Sequence, residues 1–376
     1  MTFIHIVPAL PPDICGVGAY ANNLACALLK QKGIRSDFIV IGQSRDARDI
    51  KRDFRAVHLG RRDPESFIQA IRKISDGPDG AMAQGPLRLI LHYSPYGFQQ
   101  FGLPFWLVPG LESAKKICAG KISLISFFHE LDSVRSEIPP ASFLLSKARL
   151  GLCRRIARLS DTVVTNNTVF AEALAKMRGS AGADIAVLPV SSNFGEPAVV
   201  GTLEKREPSL VVLGREYARK MVYADYADEL QRTCNALKIK RVYDIGPPVS
   251  LGTIQRRLQA IRFVSLGVLP GEDISALLMK SLAGFIALVK KEPGQSTVFA
   301  AYAAHGLLCI AEGGVAHSSV LEPAMGRHYV TTALLNGLNR EKLQAISDAA
   351  RRWYFDHAAI DHHVEFFSKC LLKAAP

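Results

Sequence analysis

Short apolar runs alternate with helix-patterned segments along most of the chain, and this alternation narrows the possible folds more than any other feature. In the first half the runs are FIHIVPA, SDFIVIG, LRLILHY, ISLISFF, DTVVTN and DIAVLP. Between them apolar residues return with helical spacing, as at Val17, Tyr20, Leu24 and Leu28, and again at Leu145, Ala148, Leu152, Ile156 and Leu159. A parallel strand buried on both faces reads as a near-continuous apolar run, and parallel neighbours need a crossover, usually a helix. The pattern predicts an α/β protein with parallel sheets. The stretch VSSNFGEPAVVGTLEKREPS, Val190 to Ser209, breaks the rhythm and reads as an interdomain linker. A second series follows, SLVVLG, KRVYDIG, RFVSLG, AGFIAL and LLCIAE, and beyond about residue 338 the pattern is helical. The expected organisation is two doubly wound, Rossmann-like domains, residues 1–190 and 209–355. The last stretch, 356–376, reads as a C-terminal helix.

Composition excludes several classes. Hydrophobic residues make up 48% and charged residues 21% of the 376, an ordinary globular balance. No apolar run approaches the roughly 20 residues needed to span a bilayer. The opening MTFIHIVPAL lacks a basic leader and reads as a first strand. Seven cysteines, an odd number with no C-x-x-C pair, fit reduced thiols in a cytoplasm better than disulfides or zinc. The net charge of +12 is concentrated in the first half, in SRDARDIKRDFRAVHLGRR and SKARLGLCRRIARLS. It fits a phosphorylated ligand, an anionic membrane surface or nucleic acid, and equally a soluble basic surface. No zinc-finger or RNP-type pattern is present, so nucleic acid ranks last.

Three motifs carry chemistry. PPDICGVGAY follows the first strand; Gly16 and Gly18 would place helix N-terminal amides where a Cβ does not obstruct an anion. Taken alone it supports only a tight strand-to-helix turn. In VVLGREYARKMVY a strand ends at Gly214 and is followed by Arg215, Arg219 and Lys220. Cations beyond the carboxyl end of a parallel strand stand where open α/β sheets bind ligands, and they suit phosphate; a solvated basic turn would read the same way. In KKEPGQSTVFAAYAAHGLLCIAEGG, Glu292, Gly294 and Gln295 precede Ser296 or Thr297 at a helix start, with Gly306 as the C-terminal cap. That helix end is an anion site or a capped structural helix.

Together, and in this order, these segments resemble the GT-B-fold glycosyltransferases, within them the retaining group related to glycogen synthase and bacterial polysaccharide glycosyltransferases. The resemblance rests on the Gly-rich first loop, on Arg215 and Lys220 five residues apart after Gly214, and on the strand–loop–helix GFIALVKKEPGQSTVFAAYAAHGLLCIA. It implies two Rossmann-like domains facing a cleft, with the N-terminal domain binding an acceptor and the C-terminal one a nucleotide-sugar donor. It implies catalysis by Arg215 and Lys220, which neutralise the departing diphosphate, and by His129 of SFFHELDS near the donor sugar. Donor contacts fall to Gly16, Gly18, Gly214, Glu292, Gly294, Gln295, Ser296 and Thr297. No metal or other cofactor is implied, and no Asp-x-Asp pair occurs. The implied acceptor is a saccharide or lipid-linked, for surface polysaccharide or glycoconjugate synthesis, with the protein cytoplasmic or peripheral at the inner membrane face.

The chain departs from the family at one motif. Its two glutamates separated by seven residues would fall at Pro293 and Ala301; Glu292 stands one residue from the first, and nothing replaces the second, which binds ribose. The missing carboxylate favours a non-catalytic nucleotide- or glycan-binding protein as the alternative, and an epimerase or hydrolase on the same fold also stays open. Tyr93 and Tyr96, in the aromatic cluster LHYSPYGFQQFGLPFWL, and Glu130 are acceptor candidates, although core packing accounts for the aromatics equally. The basic face of SKARLGLCRRIARLS could rest on anionic lipid or simply face solvent.

Overall fold

A computed structural model describes residues 2–42, 54–75, 86–117, 122–131, 141–179, 185–251, 254–258, 261–288, 293–314 and 321–372. The chain forms two compact units, Met1–Leu188 together with Ile360–Pro376, and Pro189–Ala359. The second unit is thus an insertion between two segments of the first.

The first unit is built from β1 (Thr2–Val7), α1 (Gly16–Lys32), β2 (Arg35–Val40), β3 (Ala56–His58), α2 (Pro64–Ser75), β4 (Leu87–Tyr93), α3 (Pro95–Phe98), α4 (Leu107–Ile117), β5 (Ile122–Phe128), α5 (Ala141–Leu159), β6 (Thr162–Thr165), α6 (Thr168–Arg178) and β7 (Ala186–Val187). Its sheet has the order β3-β2-β1-β4-β5-β6-β7 with every described pairing parallel. Both faces are covered. Leu89, Leu91, Tyr93, Leu124 and Phe128 face a core shared with Phe67, Leu111, Leu152 and Ile156 of α2, α4 and α5. Phe3, Ile90, Ile125 and Phe127 point the other way, toward Tyr20 and Leu24 of α1 and Val364 and Phe367 of the last helix. The six apolar runs of the first half all became strands. β3 was missed: it has three residues, all half-buried, so it carries no continuous apolar signal.

The second unit contains β8 (Glu207–Leu213), α7 (Glu216–Ala224), α8 (Ala227–Ala236), β9 (Arg241–Ile245), α9 (Ile254–Arg257), β10 (Arg262–Gly267), α10 (Gly271–Lys280), β11 (Ser281–Ala287), α11 (Thr297–Ala304), β12 (Leu308–Glu312), α12 (Thr332–Leu335) and α13 (Arg340–His357). Its parallel sheet runs β10-β9-β8-β11-β12. Val211 and Leu213 face one core while Leu210 and Val212 face the other, the two-residue period of a strand buried on both sides. Finally α14 (Ile360–Leu372) belongs to the first unit and packs on α1. Tyr20 Oη and His363 Nδ1 lie 2.8 Å apart, Gln31 donates to Asp361 at 2.7 Å, and Arg88 donates to the Leu371 carbonyl at 2.7 Å.

The stretch 190–209 is not a free linker. Val190 is buried, the Ser192 amide donates to the Tyr354 hydroxyl at 2.8 Å, and Arg351 donates to the Pro197 and Ala198 carbonyls. Its Ser, Gly and Pro content reflects an irregular path over α13, with the backbone polar groups satisfied by side chains of that helix. Among the described residues no helix is long and apolar enough to cross a membrane.

Candidate functional site

In an open parallel sheet, ligands bind beyond the carboxyl ends of the strands, where the order reverses direction. In the first unit that point lies between β1 and β4, in the second between β8 and β11. Three of the motif segments leave β1, β8 and β11, and the aromatic cluster leaves β4. Topology therefore gathers them at one edge of each sheet.

In the first unit the β1 loop enters α1 at Gly16. The two glycines differ in role. A Cβ on Gly18 would lie 1.8 Å from the Ala9 carbonyl oxygen, so Gly18 lets the loop backbone press against the helix. The Gly18 amide is also taken, donating to Cys15 Sγ at 3.4 Å. Gly16 is exposed at the helix start. The β4 loop meets this one: a Cβ on Gly97 would lie 2.6 Å from Pro8 Cγ. The Ser94 hydroxyl donates to Glu130 Oε2 at 3.0 Å, which ties the end of β4 to the residue pair His129–Glu130 beyond β5. His129 is 9% exposed, and burial pushes its imidazole down to about 3. Its Nε2 lies 3.3 Å from His92 Nδ1.

Tyr93 needs correction as an acceptor residue. It is 0% exposed, packed against Phe98 and Phe128, because it shares the strand face of Leu89 and Leu91. Tyr96 is half-buried beneath the Arg149 guanidinium, 5.5 Å from its ring centroid.

In the second unit β8 ends at Gly214, whose φ of +142° favours glycine. Arg215 caps α7, and Arg215 and Lys220 are exposed. Arg219, between them, is architectural. At 1% exposure it donates to the Gly214 carbonyl at 3.0 Å, to Asp244 Oδ1 at 2.5 Å and to the Pro247 carbonyl. Asp244 also accepts from Tyr223 at 2.5 Å and Ser265 at 3.2 Å. Gly246 completes this corner: its φ is +143°, and a Cβ there would meet the Gly214 oxygen at 2.1 Å. The sequence signal for it was a glycine directly after a strand, as at Gly214.

Ser296 caps α11, its Oγ accepting from the Phe299 amide at 3.1 Å. The first amides of that helix, including Thr297 and Val298, carry the positive end of its dipole. The two donor motifs are neighbours: a Cβ on Gly214 would lie 3.8 Å from Val298 Cγ2. Gly294 is buried beside the Glu322 carboxylate, and Gln295 is half-buried. Glu292 lies outside the described residues.

Tyr302 fixes α11 against β8. The β8–β11 ladder stops at Val211 and Gly284, and the phenol takes over there, accepting from the Leu213 amide at 3.2 Å and donating to the Val211 carbonyl at 3.0 Å. Ala301, at the position of the family's second glutamate, is 0% exposed in the apolar core, so a carboxylate there would be buried among Phe299, Leu307 and Tyr329. Among the described residues no group of three or more His, Cys, Asp and Glu is placed to hold a metal ion.

No family model matches the sequence, and no protein of curated function matches it. Solved structures do. An alpha-glucosyltransferase in complex with UDP superposes with a TM-score of 0.61 at 11% identity, covering 99% of each chain. Anabaena HepE in complex with UDP and glucose gives 0.60 at 12% identity, covering 100% of each. A glycosyltransferase from Rickettsia africae gives 0.62 at 14%, covering 99% of each. At these identities the likeness establishes the fold, GT-B, with its two parallel-sheet α/β units.

Proposed function

We propose that the protein is a nucleotide-sugar-dependent glycosyltransferase. It transfers a hexose, with retention of anomeric configuration, to a saccharide or lipid-linked acceptor in surface polysaccharide or glycoconjugate synthesis. The observation that carries this reading is the carboxyl edge of the second sheet. Arg215, Lys220 and the amides of Thr297 and Val298 leave adjacent strands there, with Gly214 against Val298. Two exposed cations and a helix N-terminus on one edge suit a diphosphate whose charge grows as the sugar departs. The neighbours that carry UDP on the same fold support a uridine nucleotide as the donor's base. Exposed Leu144 with Lys147 and Arg154 on α5 supports a lipid-linked acceptor and peripheral contact with anionic lipid.

The test is a panel of nucleotide sugars offered with soluble saccharides and with a lipid extract, with products resolved by mass. Transfer to one acceptor class is expected. Hydrolysis or epimerisation alone would replace the transferase reading, and absence of nucleotide binding by calorimetry would refute it. Arg215→Ala and Lys220→Ala should each weaken UDP binding about 10-fold or more, from the loss of a charge-assisted contact of about 1.5–3 kcal/mol. Unchanged affinity in both would refute the diphosphate role.

A further inference from the structure

Behind His129 a file of polar side chains crosses the first sheet. Ser36 stands on β2, His5 on β1, His92 on β4 and His129 just after β5, so the file follows four adjacent strands. The register explains the line. Ser36 pairs with Phe3, and His5 lies two residues further along β1. Extending the β1–β4 register by one residue sets His92 beside Val7, again two residues beyond His5. His92 pairs with Phe127, and His129 lies two residues further. A step of two keeps each side chain on one face, so the file climbs diagonally to the carboxyl edge.

The links are hydrogen bonds. Ser36 Oγ is 3.2 Å from His5 Nε2, His5 Nδ1 is 2.9 Å from His92 Nε2, and His92 Nδ1 is 3.3 Å from His129 Nε2. Helices α1 and α14 seal the file: Tyr20 meets His92 and His129 edge-on, and its hydroxyl pairs with His363. Burial keeps the rings neutral at neutral pH, with His5 and His129 held down to about 3 and His92 also well below its ordinary value. A neutral imidazole has one donor and one acceptor nitrogen, so each ring dictates the tautomer of the next. Nδ1 of His129 is the ring nitrogen left outside the file.

We propose that Ser36, His5 and His92 are positioning residues that hold His129 in the Nε2–H tautomer, leaving its Nδ1 as a hydrogen-bond acceptor for a sugar hydroxyl. In this sense every ring carries its proton on Nε2, the intrinsically favoured form, and the Ser36 hydroxyl accepts from the last N–H. The role toward sugar rests on the proposed transferase reading; the tautomer lock does not. Removing the acceptor at Ser36 would strand a buried N–H on His5, a costlier defect than a stranded lone pair, so the whole file reverses.

The experiment is long-range proton–nitrogen NMR of the full chain labelled with 15N-histidine, the His129 signals being assigned from H129Q. Wild type should show His5, His92 and His129 all as Nε2–H. Ser36→Ala, three links away, should turn His129 to Nδ1–H; His5→Phe should do the same, and Ser36→Thr should restore the wild-type pattern. A His129 in the Nδ1–H form in wild type, or one still Nε2–H in folded S36A and H5F, overturns the proposal. In binding, S36A should weaken the nucleotide sugar about fivefold, the value of one lost hydrogen bond of about 1 kcal/mol, and leave UDP unchanged. Equal effects on both ligands overturn the sugar contact. Absence of any nucleotide binding in wild type would remove the transferase reading, while the spectra still decide the lock.

Discussion

The seam between α11 and β8 offers a quantitative test, Tyr302→Phe. Tyr302 is 0% exposed, and burial together with Cys309 keeps its phenol protonated and able to donate. The substitution keeps the ring and deletes the hydroxyl. It leaves the Leu213 amide without its partner in the protein interior and costs the bond to Val211. A stranded buried donor costs about 1–3 kcal/mol and a lost net hydrogen bond about 0.5–1.5, so the expected loss is about 3 kcal/mol. Gly284→Ala probes the same seam sterically. Its Cβ would lie 2.4 Å from two ring atoms of Tyr302, so the ring must move and break the same bonds. That penalty should vanish once Tyr302 is cut to Ala, a coupling read from a double-mutant cycle.

The chain makes the assay simple. It has two tryptophans, Trp106 packing in the first unit's core and Trp353 in the second's. In a Trp106→Phe background, fluorescence during guanidinium unfolding reports the second unit alone, which avoids treating two units as one transition. A Tyr302→Phe loss below about 0.5 kcal/mol, or a Gly284→Ala protein as stable as its parent, would refute the reasoning.

Two further outcomes are expected. Arg219→Met removes the cation paired with buried Asp244, and should lower the second unit's stability by about 3–5 kcal/mol in the same assay. A loss under 1 kcal/mol would show that Arg219 does not hold this corner. Acid should weaken the first unit. The unfolded chain protonates His5 and His129 below about pH 6.5, whereas the native rings resist until about 3, so stability present above 6.5 falls as pH drops through that window. Each ring contributes a slope of about 1.4 kcal/mol per pH unit, visible in denaturation midpoints read from Trp106. A flat profile from pH 7 to 5 would contradict the burial of neutral rings.

Much of the architecture was legible because parallel strands buried on both faces announce themselves as apolar runs; LRLILHY and LLCIAE need no context. The glycines at strand ends were legible for a similar local reason, although Gly18 and Gly246 prove to be packing glycines as well. What stayed hidden depends on register. Tyr93 looked like part of an aromatic surface, yet strand parity puts it with Leu91 in the core. Arg219 and Lys220 are consecutive cations, and only the turn of α7 buries the first and exposes the second. The family's glutamate spacing marked Ala301 as the place of a missing ligand contact, but that α11 is buried from Phe299 to Ala304 shows only in the fold. The histidine file joins residues 31 to 87 positions apart in sequence, so no local window contains it.

Because α14 returns to the first unit, synthesis order and folding order diverge. Phe3, Tyr20 and Phe127 emerge from the ribosome long before Val364 and Phe367, which cover the same face. During the synthesis of the whole second unit that face has α1 but still lacks its α14 cover. Chains cut short before residue 360 would keep that part of it exposed. The contact of His363 with Tyr20 above the histidine file can therefore form only after the whole second unit has been synthesised.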